Sequence, residues 1–173
     1  MQRVPAPSSG LRILESDAEH GKAIHKHILF VVWRRETRAS AYARIGELVA
    51  QLAQDYPDGI GILQTVEVGA IPPDAGARQE FLKVMEICQG RVRHFSVVHE
   101  GTGFKAASVR AIMSGVYFYV SPKFPHGVFS SLTEAAHWHV RQEGGLQRSE
   151  LTERDIVEDV RTLREHLNRK YDT

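Results

Sequence analysis

Apolar and polar positions change rhythm several times along this chain, and each rhythm predicts an element. Leu11 to Glu15 alternates and predicts a short first strand. Ser16 to Gly21 is polar and turn-like. Ile24 to Arg34 predicts the clearest strand. Its centre, Ile28-Leu29-Phe30-Val31-Val32-Trp33, is apolar on both faces, the pattern of a strand buried centrally in a sheet. After Thr37 the period becomes helical: Tyr42, Ile45, Leu48, Val49 and Leu52 share one face, and Pro57-Asp58-Gly59 ends the helix. Gly61 to Val66 reads as a strand. In the next helix Ala77, Phe81, Val84, Met85 and Cys88 share a face, Asp74 stands where it can cap, and Gly90 suits the position past the end. Val92 to Val98 is a further strand, followed by the tight loop Glu100-Gly101-Thr102-Gly103.

The helix predicted over about 104–119 is unusual. Phe104, Ala107, Ala111, Ile112 and Gly115 form a small-residue face, and Val116-Tyr117-Phe118-Tyr119-Val120 makes its end strongly aromatic. Most of this is expected to be core; any exposed part marks a protein interface or an apolar ligand groove. Val128-Phe129 is a short edge-like segment. Ser131-Leu132-Thr133-Glu134 has the spacing of a capping box and opens a helix carrying Leu132, Ala135, Ala136, Trp138 and Val140, closed by Gly144-Gly145. Residues 149–171 form a last amphipathic helix with Leu151, Ile156, Val157, Val160, Leu163 and Leu167 on its apolar side. Strands alternating with helices predict an α/β fold with right-handed crossovers. The expected sheet is mixed, mostly parallel and four- to five-stranded, with an extra C-terminal helix.

Composition narrows the function classes. The 173 residues suit one domain. With 22 Lys+Arg against 21 Asp+Glu the net charge is +1, which argues against a dedicated nucleic-acid binder. The single Cys88 excludes an intramolecular disulfide and a cysteine-cluster zinc site. The N-terminus lacks an apolar signal-peptide core, and no apolar run reaches membrane-spanning length, so a cytoplasmic protein is expected.

From about Leu11 to Gln142 the order of elements resembles the STAS domain, the fold of anti-anti-sigma factors, and more closely the STAS-like group related to lipid-binding Sec14 domains. Three stretches carry the resemblance: Val31-Val32-Trp33-Arg34 running into a helix, His94-Phe95-Ser96-Val97-Val98 leading to Phe104-Lys105-Ala106-Ala107, and the box Phe129 to Trp138. The resemblance implies a STAS-like domain over 11–145; the Pro/Ser/Gly content of residues 1–10 suggests a flexible tail, and the amphipathic helix over 146–173 lies outside the resemblance. The resemblance also implies a partner-binding role switched by serine phosphorylation at a helix N-terminus. The corresponding stretch here, Pro72-Pro73-Asp74-Ala75-Gly76-Ala77, holds no Ser or Thr, so the switch in its usual form is not expected.

Candidate chemistry is sparse. Gly101-Thr102-Gly103-Phe104-Lys105 joins a strand to a helix and reads as a tight turn or, at the free N–H groups of the helix, an anion site. His25-Lys26-His27 places two imidazoles on one face of a strand, where a third ligand would make a metal site; the ordinary reading is packing. His137 and His139 diverge around a helix. Cys88 reads as inert packing. Glu15/Asp17 and Glu158/Asp159 read as solvated charges. Arg34, Arg35 and Arg38 cluster after a central strand, and Arg91, Arg93 and Lys105 are candidates to join them around an anionic group.

The expected function is therefore a non-enzymatic bacterial protein–protein interaction module in a regulatory or scaffolding assembly. It needs no catalytic residue, metal or cofactor. The binding candidates are Asp74, Gly76, Gly101, Thr102, Gly103, Lys105, Tyr117 and Tyr119. The partner is another protein or a second copy of the chain, not nucleic acid. The alternative is a carrier or sensor of a small apolar or amphipathic ligand, which needs a pocket of roughly 300–1,000 Å³.

Overall fold

A computed structural model describes residues 10–144 and 149–172. Six strands form one sheet in sequential order. β1 (Arg12–Ser16), β2 (His20–His25) and β3 (Ile28–Trp33) are antiparallel neighbours; β4 (Ile60–Val66), β5 (Val92–His99) and β6 (His126–Phe129) continue parallel to β3. Five helices accompany them: α1 (Ala39–Asp55), α2 (Ala75–Cys88), α3 (Gly103–Val120), α4 (Leu132–Gln142) and α5 (Glu153–Tyr171).

The sixth strand was not expected. Lys26 takes a left-handed conformation at φ 52° and breaks the stretch 24–34 into the hairpin β2–β3. β2 includes the polar residues His20, Gly21 and Lys22, so its hydropathy reads as a turn, yet all three are buried. The proposed alternation of His25 and His27 on one strand face fails for the same reason, because the turn lies between them. The tail expected over 1–10 lies outside the described residues except for Gly10, as does Gly145.

Each parallel step adds one strand further along the sheet, so α1, α2 and α3 cover one face, while α4 and α5 cover the other. β3 serves both layers, as its doubly apolar sequence predicts. Leu29, Val31 and Trp33 face α1 and α2, and Ile28, Phe30 and Val32 face α5; all six are fully buried. On the first face an aromatic chain runs Trp33–Tyr42–Phe81–Phe95 with centroids 4.7, 5.0 and 6.1 Å apart. On the second, Ile156, Val160, Leu163 and Leu167 of α5 are completely buried. Gly21 permits that contact: a Cβ there would meet Leu163 and Leu167 at 3.0–3.1 Å. Burying such side chains stabilises the fold by roughly 1.5–3 kcal/mol each.

Candidate functional site

Asp74 caps α2 by accepting from the Ala77 N–H at 2.8 Å, as predicted, with Gly76 in the first turn. Thr102 caps α3 with its backbone alone, and Gly103 takes φ 74°. The Gly101 N–H donates to His99 Nδ1 at 3.1 Å. Lys105 Nζ donates to the Val68 carbonyl at 3.1 Å, tying the start of α3 to the loop after β4. These six candidates therefore stand at the edge where the parallel strands end. Tyr117 and Tyr119 do not join them, because they lie at the other end of α3. Tyr117 stacks on His126 at 4.1 Å with its hydroxyl buried, and burial raises its pKa; Tyr119 is 73% exposed.

Beneath the rim lies a narrow cleft among Tyr42, Gln64, Phe81, His99 and Met113 with room for about 40 Å³. Gln64 accepts from Trp33 Nε1 at 2.8 Å, which fixes its amide and leaves a buried Nε2 donor unpaired. The space is well below the roughly 300–1,000 Å³ of small-molecule pockets.

The larger surface feature is α3 itself. Only Ala106, Met113 and Val116 of its side chains are buried. Phe104 and Phe118 are 87% and 89% exposed, and Ala107, Ala111 and Gly115 between them are exposed too. The face expected to be mostly core points outward. The helix period explains this: with Met113 and Val116 turned toward the sheet, residues 104, 107, 111, 115 and 118 fall on the opposite side. Sequence pattern marks the face as apolar but cannot orient it, because α3 is apolar around most of its circumference. One sequence signal does accompany the exposed face: from 101 to 133 the chain contains no Asp or Glu. Along α2 the groove beside this face has room for about 590 Å³ and is lined by Leu82, Ile112, Val116 and Tyr119, with Arg78 at its rim.

Two buried polar clusters were not foreseen. Lys22 is fully buried with its Nζ 2.5 Å from Glu15 Oε1 and from His20 Nε2. Burial lowers the Lys22 pKa against the opposing pull of Glu15. Burial alone would raise the pKa of Glu15, but hydrogen bonds from Lys22 and Arg44 hold it below its ordinary value. In the second cluster Ser96 Oγ and His139 Nε2 share a 2.7 Å hydrogen bond, the His139 ring meets His94 edge-on at 4.5 Å, and Glu143 accepts from His27 at 2.8 Å. Gly61 makes room for this cluster, since a Cβ there would stand 2.4 Å from His94 Nε2. Burial pushes His94 down to about 4 although Glu143 pulls the other way, and it drives His139 well below its ordinary value. The Ser96–His139 distance suits a nucleophile and base, but both residues are fully buried between β5 and α4, and His139 Nδ1 has no partner among the described residues to orient the ring.

Other candidates separate in space. Asp159 is fully buried and pairs with His25 at 2.7 Å, and Glu15 holds Lys22, so neither is the solvated charge expected. Arg34 and Arg35 pair with Asp172, Arg38 with Glu36 and Arg93 with Glu143, so the arginines form no single anion patch. Cys88 is buried, and burial pushes its thiol up to about 12. The proposed capping box at Ser131 is half formed: Ser131 accepts from the Glu134 N–H, whereas the Glu134 carboxylate accepts from Ser130. Among the described residues no group of three or more His, Cys, Asp or Glu is arranged to hold a metal, and no helix is long and apolar enough to cross a membrane.

The chain is thus an α/β domain with a mixed six-stranded sheet and five helices. No family model, curated protein or solved structure matches it.

Proposed function

We propose that this chain is a non-enzymatic, STAS-like interaction module of bacterial type that docks a partner protein on the outer face of α3, without the usual serine switch. The observation that carries the reading is the exposure of Phe104 and Phe118 at the two ends of the outward face of α3, at 87% and 89%, with Tyr119, 73% exposed, beside them on the groove side. Side chains of this size bury readily in cores, and exposed aromatics joined by the exposed small residues Ala107, Ala111 and Gly115 mark an interaction surface. The order of elements supports the STAS-like part of the proposal, and the absence of Ser and Thr from 72–77, a departure from the usual pattern, supports the lack of a serine switch.

Native mass spectrometry of the protein isolated gently from its source cell tests the reading. A retained second protein is expected with the natural sequence and is lost in a Phe118→Ser/Tyr119→Ser variant. Equal retention in both, or a bare chain in both, counts against α3 as the docking face. A small mass surplus in place of a protein moves the function to ligand carriage.

A further inference from the structure

We infer that the groove between α2 and α3 receives an amphipathic helix of a partner protein that carries carboxylates along the edges of its apolar stripe. The inference rests on the proposed role of α3 as a protein-docking face and specifies what docks there.

Shape comes first. The site is concave, about 590 Å³ between two helices, with Leu82, Ile112 and Val116 lining it and Ala111 and Gly115 on its α3 side. A Cβ added at Gly115 would meet nothing within 4 Å, so the α3 backbone is open to close approach. Helices pack at axial distances of roughly 8–10 Å, and small residues permit the short end of that range. An apolar groove between two helices is the shape that an amphipathic helix fills in helix-in-groove recognition. A lipid surface, being flat, leaves such a groove empty. From Phe104 to Phe118 the face extends about 21 Å at the helical rise of 1.5 Å per residue, the length of a helix of about four turns.

Charge selects the partner. Arg78 is the charged residue lining the groove. Lys105 and Arg110 flank the outer face of α3, one on each side. None of the three has a carboxylate partner among the described residues: Arg78 donates to the Pro73 carbonyl, Lys105 to the Val68 carbonyl, and Arg110 forms no ion pair. Elsewhere Arg34, Arg38, Arg44, Lys83, Arg161 and Arg164 have carboxylates beside them, although Lys26, Arg91 and Lys123 have none among the described residues; what marks α3 is that three such cations surround one apolar face. Residues 101–133 supply no carboxylate at all, and Glu86, one turn past Leu82 on α2, lies outside the groove lining. A second copy would bring the same uncompensated cations to the groove. A helix with Glu or Asp beside its apolar stripe would neutralise them, and complementary charge of this kind sets partner choice and association rate.

The test uses two synthetic peptides of the length of α3 with identical Leu stripes at helical spacing. One has Glu at the flanking positions and the other Lys. Binding to the full chain is followed by fluorescence anisotropy. The Glu peptide is expected to bind about tenfold tighter, with the advantage shrinking as salt is raised. An Arg78→Glu/Arg110→Glu variant reverses the preference, and Gly115→Leu, which fills the groove on an exposed helical position, stops both peptides while the circular dichroism spectrum stays the same. Equal affinities that Gly115→Leu abolishes would overturn the acidic partner and leave α3 as a docking face. No binding of either peptide overturns the inference, and the native mass spectrum then decides separately whether α3 docks anything. Two other outcomes also overturn it. One is self-association in sedimentation that Gly115→Leu removes; the other is flotation with phosphatidylserine vesicles that Phe118→Ser removes.

Discussion

α5 and α3 are 19 and 18 residues long and lie on opposite faces of one sheet, yet they have opposite relations to the core. α5 opens with a complete capping box between Thr152 and Asp155, has Glu153 and Asp155 in its first turn and Arg169 and Lys170 in its last, and buries Ile156, Val160, Leu163 and Leu167 fully. The cap and the apolar stripe agree with its packing, and Glu153, Asp155, Arg169 and Lys170 sit where the helix dipole favours them. α3 has no side-chain cap, no acid in its first turn and no base in its last. Its more apolar sequence buries only three side chains. The contrast teaches that apolar content and burial are separate properties. In α5 the apolar residues are those the fold consumes; in α3 they exceed what the fold consumes, and the excess faces outward.

Deleting apolar bulk should separate the two helices most widely. Leu163→Ala removes a completely buried side chain wedged against Gly21 and is expected to cost about 2–5 kcal/mol, read from urea denaturation midpoints. A loss below about 1 kcal/mol would mean that α5 is a loosely docked accessory and that the contrast with α3 is one of degree.

Acid probes the same asymmetry, because the buried pair His94 and His139 lies on the α4–α5 side of the sheet. Burial lowers His94 to about 4 in the folded chain, against an ordinary value of 6.5 in the unfolded one. The unfolded chain therefore takes up the proton first. Stability is complete above pH 6.5, declines as pH falls from 6.5 toward 4, and changes no further through this group below that; the interval corresponds to about 3 kcal/mol. Glu143, held below its ordinary value by His27 despite its burial, adds to the loss at the acid end. Denaturation at pH 7.5 and at pH 4.5 measures the drop. His94→Asn should flatten the dependence whatever it does to stability at neutral pH, whereas Phe118→Ser should leave the slope unaltered. An unchanged slope in His94→Asn would remove His94 as its cause and leave His139, which burial also lowers.

Caps give a smaller test. Thr152→Ala removes a side chain that accepts from the Asp155 N–H at 3.1 Å and should cost about 1 kcal/mol. Thr102→Ala, at the start of α3, removes a hydroxyl that makes no cap bond and should cost far less. Equal losses in thermal unfolding would show that the two helix starts are equivalent after all.

How much of this was legible in the sequence follows the same division. β3, α2 and α5 were readable because periodicity, caps and burial coincide there: the doubly apolar Ile28 to Trp33, Asp74 before a clean apolar face, and the stripe Ile156 to Leu167. β2 was missed because a strand holding His20 and Lys22 looks like a turn until Glu15 on the neighbouring β1 and the His20 ring are there to receive the lysine. The cluster joins His94 and Ser96 of β5 to His139 of α4 and Glu143 at its C-terminal cap; Ser96 and His139 are 43 positions apart, and no spacing rule joins the two pairs. For the candidate site, Asp74 was placed correctly as a cap. Tyr117 and Tyr119 belong to a different region from the loop residues they were grouped with, because an 18-residue helix separates its own ends.

The smallest expected effect on stability is also the most informative about α3. Phe118 is 89% exposed, so Phe118→Ser takes away almost no area that folding removes from water, and the unfolding free energy should stay within about 0.5 kcal/mol. Most large aromatic residues in a domain answer such a substitution with a loss of several kcal/mol, as Phe81 or Phe95 in the buried aromatic chain would. The pair of measurements that matters is therefore stability and docking on the same variant. Unchanged stability with lost docking separates a side chain kept for recognition from one kept for folding. If unfolding of Phe118→Ser is instead destabilised by more than about 1 kcal/mol, the ring packs against the protein in solution, α3 is seated differently on the sheet, and the contrast between the two helices fails at its most exposed residue.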